Sequence, residues 1–106
     1  MWTTTLLGEV RALVVLVPPG AVTTYGDIAR ALGVSPRQVG RAMAMLDDGF
    51  PWHRVVHADG TPATCHQGTA PVLLRAELTP MAGRRVDLRA ARWRPHPASS
   101  PEITEG

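Results

Sequence analysis

Two helix-start signals, set back to back around one glycine, constrain this chain more than any other feature. Thr24-Tyr25-Gly26-Asp27 places a capping hydroxyl three residues ahead of an acid able to reach back to the cap amide. Ile28, Ala29 and Leu32 then give a short helix one apolar side, and Gly33 stands where a helix closes in a left-handed cap. Ser35-Pro36-Arg37-Gln38 follows at once. Serine caps, proline takes the first helical position where no amide hydrogen is needed, and glutamine completes a capping box. This second helix is predicted to run to about Leu46, before Asp47-Asp48-Gly49. Helix, glycine-containing turn and helix together make a helix-turn-helix.

At about 100° per residue, Val39, Ala42, Met43 and Leu46 share one side of the second helix. Arg37, Arg41 and Ala44 share the other, with Gly40 at its margin. A cationic face with small residues between suits close approach to a nucleic-acid backbone. The main-chain amides at the start of this helix, around Ser35 and Gln38, favour phosphate. Ahead of it, residues 3–17 are predicted to be helix. Leu6, Val10, Leu13 or Val14, and Val17 recur at helical spacing, and Pro18-Pro19-Gly20 stops the run. Val55-Val56-His57-Ala58-Asp59-Gly60 reads as a short strand entering an Asp-Gly turn, residues 61–69 as a loop, and residues 70–78 as a helix with Val72, Leu73 and Leu74 apolar. Pro80 to Gly83 breaks that helix, Val86-Asp87-Leu88 is a short extended piece, and Trp93 packs back on the domain. The expected fold class is mainly α: a small helix-turn-helix, winged-helix-like DNA-binding domain with a short β-hairpin.

The 106 residues have room for one domain. Residues 95–106, rich in proline, serine and acid, are expected to form a disordered tail, which leaves residues 1–94 as the domain. All 11 basic side chains are arginines. Up to Arg94 they face seven acids, a balance of +4, and Glu102 and Glu105 lower it to +2. A small basic domain is compatible with a polyanionic partner. Cys65 is alone, which excludes an internal disulfide and fits a cytosolic protein. No secretory signal precedes the first helix, and the apolar run at 13–17 is too short to span a bilayer. The expected location is therefore cytoplasmic and nucleoid-associated, with no membrane partner. Cys65-His66, with His53, His57 and His96 scattered around it, lacks zinc spacing, so neither metal nor cofactor is expected.

The block Pro51-Trp52-His53-Arg54-Val55-Val56 carries the functional argument. It resembles the active-site Pro-Cys-His-Arg-Val of the O6-alkylguanine-DNA alkyltransferases, with tryptophan in place of the nucleophilic cysteine. Pro18-Pro19-Gly20 followed by Thr24-Tyr25-Gly26-Asp27-Ile28-Ala29 is similar to that family's proline-glycine and serine/threonine-tyrosine-glycine stretch. Arg37-Gln38-Val39-Gly40-Arg41-Ala42-Met43 is similar to its recognition helix. Three blocks in order and spacing, over residues 3–94, make the match specific. The N-terminal domain of many alkyltransferases is missing from the match. That trait and the cysteine replacement are shared by the alkyltransferase-like proteins, the non-enzymatic branch that this chain resembles.

In the enzymes a thiolate displaces the alkyl group in line, activated by a histidine through water and backed by a glutamate. His53 and Glu77 match those two groups. An indole N–H only donates, and is no nucleophile. The resemblance therefore implies no catalytic residue, with His53 and Glu77 kept for structure. It implies that Arg37 enters the duplex in the space of an extruded nucleotide and that Tyr25 lies near the rotated 3′ phosphate. It implies too that the helix carrying Ser35, Gln38, Gly40, Arg41 and Ala44 enters the minor groove, where small residues fit. By the same resemblance Trp52, with Tyr25, His53, Arg54 and Val55, is expected to bound a lesion pocket, and Arg54 either orders its loop or faces the base. The implied function is binding of O6-alkylguanine in duplex DNA by nucleotide flipping without alkyl transfer. The binder is a monomer that flags the site for nucleotide excision repair proteins. Two other classes stay open. One is a helix-turn-helix regulator reading undamaged DNA, which would read the major groove and usually dimerise. The other is an enzyme using Cys65, which lies outside the activating block.

Overall fold

A computed structural model describes residues 2–47 and 49–95. It is a small, mainly helical domain with short strands. Helix α1 (Trp2–Val14) buries Val10 and Val14 and ends three residues earlier than the spacing suggests. The amides of Leu16 and Val17 reach back only three residues, to the Leu13 and Val14 carbonyls. The chain tightens there because the residue before a proline, here Val17, disfavours the helical backbone.

Strand β1 (Thr23–Thr24) runs straight into α2 (Tyr25–Leu32). The Thr24 hydroxyl accepts from the Asp27 amide at 3.0 Å, and Gly33 closes the helix at φ 72°. The Asp27 carboxylate does not reach back to the cap amide as expected. It is buried and turned to Arg92, whose Nε and Nη2 donate at 2.9 and 2.7 Å. Burial alone would raise this carboxyl, but the bonds from Arg92 and Thr24 outweigh it and hold it below the ordinary range. An arginine from the far end of the chain satisfies the acid better than a neutral amide could.

Helix α3 (Pro36–Ala44) opens with the complete capping box: Gln38 N donates to Ser35 Oγ at 3.2 Å, and Ser35 N to Gln38 Oε1 at 3.0 Å. It stops two residues before Leu46, again through three-residue bonds, from Met45 to Ala42 and from Leu46 to Met43. Val39, Ala42, Met43 and Leu46 are buried, as their spacing requires.

Strand β2 (Val55–Val56) pairs in parallel with β1, Thr23 opposite Val55 and Thr24 opposite Val56. The Asp-Gly turn forms after it, but the hairpin lies elsewhere: β3 (Met81–Ala82) against β4 (Arg85–Val86), antiparallel. The segment read as a helix breaker thus supplies a strand. The piece read as extended splits, because Asp87 caps a short helix α5 (Leu88–Ala91) by accepting from Arg89 N at 3.2 Å.

The core has two parts, and β2 lies between them. Val55 joins Val10, Val14, Ile28, Val39, Met43 and Trp52 in the first. Val56 joins Val22, Leu74, Val86 and Ala91 in the second. Successive strand residues face opposite ways, so two valines serve two cores. Helix α4 (Ala70–Ala76) does not bury its apolar run. Leu74 and Ala70, one turn apart, are buried, while Val72 is 68% and Leu73 36% exposed. Three consecutive helical residues span about 200° and cannot share one face. The chain end is tied down by Trp93 N, which donates to the Val22 carbonyl at 2.6 Å. The tail expected from residue 95 lies outside the described residues, apart from Pro95. Among the described residues no helix is long and apolar enough to cross a membrane.

Two backbone positions with positive φ test this packing in opposite directions. Gly60 (φ 89°) lies so close to β4 that an added Cβ would sit 2.4 Å from the Val86 carbonyl oxygen. Gly60→Ala is expected to cost more than ~2 kcal/mol in urea unfolding. Leu78, at φ 61° and 87% exposed, takes the left-handed position after α4 that glycine favours. Leu78→Gly is expected to add about 1 kcal/mol. A Gly60→Ala protein as stable as its parent, or a less stable Leu78→Gly, would contradict this geometry.

Candidate nucleic-acid interface and base pocket

The outer face of α3 carries Arg37, Arg41 and Ala44, all exposed, with Gly40 half-buried between them. No atom lies within 4 Å of where a Gly40 side chain would begin, so the helix surface is open there. Ser35 and Gln38 commit their side-chain oxygens to the capping box. What they offer a ligand is a fixed helix start.

Tyr25 begins α2 and is half-buried, its ring 5.0 Å from that of His57 just beyond β2. The parallel β1–β2 pair makes this neighbourhood, since β1 leads into Tyr25 and β2 into His57. Burial, and after it the nearby Cys65, push the Tyr25 phenol up to about 12. It remains a neutral hydroxyl able to donate to an anion.

Trp52 opens a 3-10 turn (Trp52–Arg54) and is only 2% exposed. Its ring meets His53 edge-on, at 5.9 Å and 87°, and His66 face to face, at 4.2 Å and 14°. Beside it lies a cleft of about 530 Å³ lined by Trp52, His66, Gln67, Thr69, Val72 and Leu73. The exposed apolar residues of α4 are therefore one wall of this cleft.

His53 and Arg54 turn away from it, toward Glu77 at the end of α4. His53 Nε2 lies 2.9 Å from Glu77 Oε2. Arg54 grips both carboxylate oxygens, Nε donating at 3.0 Å and Nη2 at 2.5 Å, while its Nη1 donates to the Val17 carbonyl at 2.9 Å. Burial alone would raise the Glu77 carboxyl. The bonds from Arg54 and His53, and their charge, outweigh it and hold it at about 2. His53 Nδ1 is buried without a hydrogen-bond partner among the described residues.

Of the residues expected at a pocket, the structure brings Trp52 to the cleft. Tyr25 lies nearby, at the end of the strand pair. His53 and Arg54 bind Glu77 and line a second cleft of about 400 Å³ that shares Leu73 with the first, and Val55 is wholly inside the core. Arg54 reaches one main-chain carbonyl and one carboxylate, the contacts of a loop-ordering residue. Sequence reasoning missed His66, Gln67, Val72 and Leu73 as cleft residues. Helical spacing could have shown that Val72 and Leu73 cannot both follow Leu74 inward. Nothing local announces the His66 stack, which joins distant parts of the chain. Cys65 is half-buried and its thiol is pushed up by burial, the opposite of what a nucleophile needs. Among the described residues no three His, Cys, Asp or Glu side chains gather as metal ligands.

Residues 7–78 match the family described as 6-O-methylguanine DNA methyltransferase, DNA binding domain. Over 97 residues the chain is 41% identical to the DNA base-flipping protein of Escherichia coli strain K12, covering 80% of this chain and 71% of that protein. Over 49 residues it is 49% identical to alkyltransferase-like protein 1 of Schizosaccharomyces pombe, covering 42% and 45%. The fold is similar to the crystal structure of the S. pombe alkyltransferase-like protein in complex with damaged DNA containing O6-carboxymethylguanine. The TM-score is 0.75 at 30% identity, over 87% of this chain and 97% of that one.

The Glu77 network has a pH signature. The folded carboxylate holds its proton more weakly than the unfolded one. Its contribution is therefore complete above about pH 4.5 and disappears as pH falls through about 2. Glu77→Gln is expected to cost about 2–3 kcal/mol at neutral pH and to flatten the acid limb of stability against pH. An unchanged acid limb would contradict the assignment.

Proposed function

This chain belongs to the alkyltransferase-like family of DNA base-flipping proteins, and from that premise we propose that it binds O6-alkylguanine in duplex DNA by turning the damaged nucleotide out of the helix. The observation that carries the reading is the Trp52 indole, standing in the Pro51–Val56 block where the enzymes hold their cysteine and lining a cleft.

In this reading α3 enters the minor groove, where Gly40 and Ala44 permit close approach and Arg41 meets phosphate. Ser35 and Gln38 fix the helix start against the backbone. Arg37 occupies the space of the extruded nucleotide, where a planar cation stacks on and hydrogen-bonds to the bases left behind. The neutral Tyr25 hydroxyl donates to the displaced phosphate. Flipping costs a few kcal/mol; a base stacked on an aromatic ring returns about 1–3 kcal/mol, and arginine–phosphate contacts offset the rest. Val55, His53 and Arg54 act beneath the pocket, holding the Trp52 turn in place.

The protein is not a methyltransferase. An indole accepts no alkyl group, and the Cys65 thiol is held protonated. The lesion therefore stays, and a persistent complex of one protein with bent or opened DNA is a mark that nucleotide excision repair proteins can read. Such a role places the protein on the nucleoid, in the cytoplasm. A regulator reading undamaged DNA has no use for the cleft beside Trp52, and Gly40 and Ala44 on the outer face of α3 offer no polar side chain to a base edge.

Titrating the protein against one short duplex with O6-methylguanine or guanine tests the proposal. Tighter binding to the damaged duplex is expected, and equal affinities would overturn it. Arg37→Ala is expected to weaken lesion binding by roughly tenfold to a hundredfold, with folding stability within about 0.5 kcal/mol of the parent. Retained lesion affinity would remove Arg37 from its assigned place.

A further inference from the structure

The flat face of Trp52 is already covered. The His66 imidazole lies on it, centroids 4.2 Å apart and planes 14° from parallel, which leaves no room for another ring between them. Two hydrogen bonds hold the imidazole there. The Leu46 carbonyl can only accept, so His66 Nε2 carries the hydrogen and donates to it at 2.6 Å. In the neutral ring Nδ1 is then the acceptor, and Cys65 Sγ at 3.1 Å is its donor. The backbone delivering the ring is strained. His66 and Gln67 take φ of 55° and 65°, followed by Gly68 at 69°. Side chains with a Cβ rarely adopt this region, least of all twice in succession. Thr69 Oγ1 braces the segment by donating to the His66 carbonyl at 3.1 Å. No residue of the His66–Gly68 turn is buried, so little apolar packing offsets the strain.

A flat, polar-edged heteroaromatic ring on an indole, with its nitrogens satisfied at the rim, imitates what a nucleobase would do in the same place. Resting on the base-flipping reading, we propose that His66 is a resident stand-in for the flipped base: it covers Trp52 in the DNA-free protein, and a nucleotide seats only by displacing it. His66 and Trp52 both line the 530 Å³ cleft, so departure of the imidazole extends that cleft over the indole face. Displacement also releases two left-handed side-chain residues. His66 thereby sets a threshold. A base that stacks no better than the imidazole stays in the duplex, so His66 sets how tightly the site takes a flipped base.

The test compares wild type, His66→Asn and His66→Ala on a short duplex with O6-methylguanine and its guanine counterpart. Asparagine removes the ring and tolerates left-handed backbone, so His66→Asn keeps the loop where His66→Ala strains it. His66→Asn is expected to bind the damaged duplex about tenfold more tightly than wild type, the worth of one aromatic stack with its hydrogen bonds. Unchanged or weaker lesion binding by both variants, with wild type still preferring damage, would overturn this inference alone and make His66 a wall of the pocket. No damage preference in any of the proteins would overturn the base-flipping reading and this inference with it. A second measurement needs no variant. NMR of wild type labelled at histidine should show the His66 ring protons shifted upfield by Trp52 in the free protein. That shift should vanish on adding the damaged duplex, and its persistence in the bound state would also overturn the proposal.

Discussion

One carboxylate, Glu77, anchors the turn that carries Trp52. It takes two bonds from Arg54 and one contact from His53, the two residues that follow the tryptophan in its turn. Arg54 extends the link to the end of α1 through the Val17 carbonyl. The turn after Trp52 therefore ties the end of α1 to the acid at the end of α4. The parallel β1–β2 pair completes the arrangement by joining the residues after the turn to those before α2. A tryptophan set on such a base is held in place while other walls of its cleft move. Burying charge is unfavourable unless each partner is satisfied. Here both carboxylate oxygens and the arginine fork are engaged, so the network stabilises the fold as well as directing it.

The same framework explains how one fold serves two chemistries. In an alkyltransferase, a histidine and a glutamate beside the cysteine activate a thiolate. In this chain the histidine and glutamate stay and the sulfur is gone. What the structure shows of them is a His53–Glu77 contact that joins the Trp52 turn to the end of α4. Exchanging a nucleophile for a large, flat, inert ring changes the outcome from transfer to retention. The basic face of α3 is independent of that exchange, because its arginines are placed by the capping box and not by Trp52. Damage recognition and damage reversal are therefore separable within a single domain of this size.

Much of this was legible in the sequence because it is local. The caps at Thr24 and Ser35, the αL glycine at 33, and the two faces of α3 follow from side-chain chemistry within a few residues. Membership of the block around Trp52 was legible because tryptophan replaced one residue in an otherwise matching run. What escaped depends on distant partners. Asp27 prefers Arg92 over its own cap, a choice decided by where the chain end returns. Two-residue strands carry no period, so neither the β1–β2 pairing nor the β3–β4 hairpin could be located by alternation. Val72 and Leu73 look like core by composition and become cleft wall by rotation about α4. His53, Arg54 and Val55 were grouped with a pocket because they adjoin Trp52 in sequence, yet the 3-10 turn sends the first two to Glu77 and the strand after it sends Val55 into the core.

The central claim is that the site holds a damaged base and leaves it chemically intact. The direct measurement is to incubate excess protein with a duplex carrying O6-methylguanine, then quantify the lesion in the recovered DNA and weigh the intact protein by mass spectrometry. The account predicts undiminished O6-methylguanine and a protein mass unchanged from the unreacted 11.4 kDa chain. Recovery of plain guanine, or a protein heavier by one methyl group at Cys65, would contradict it.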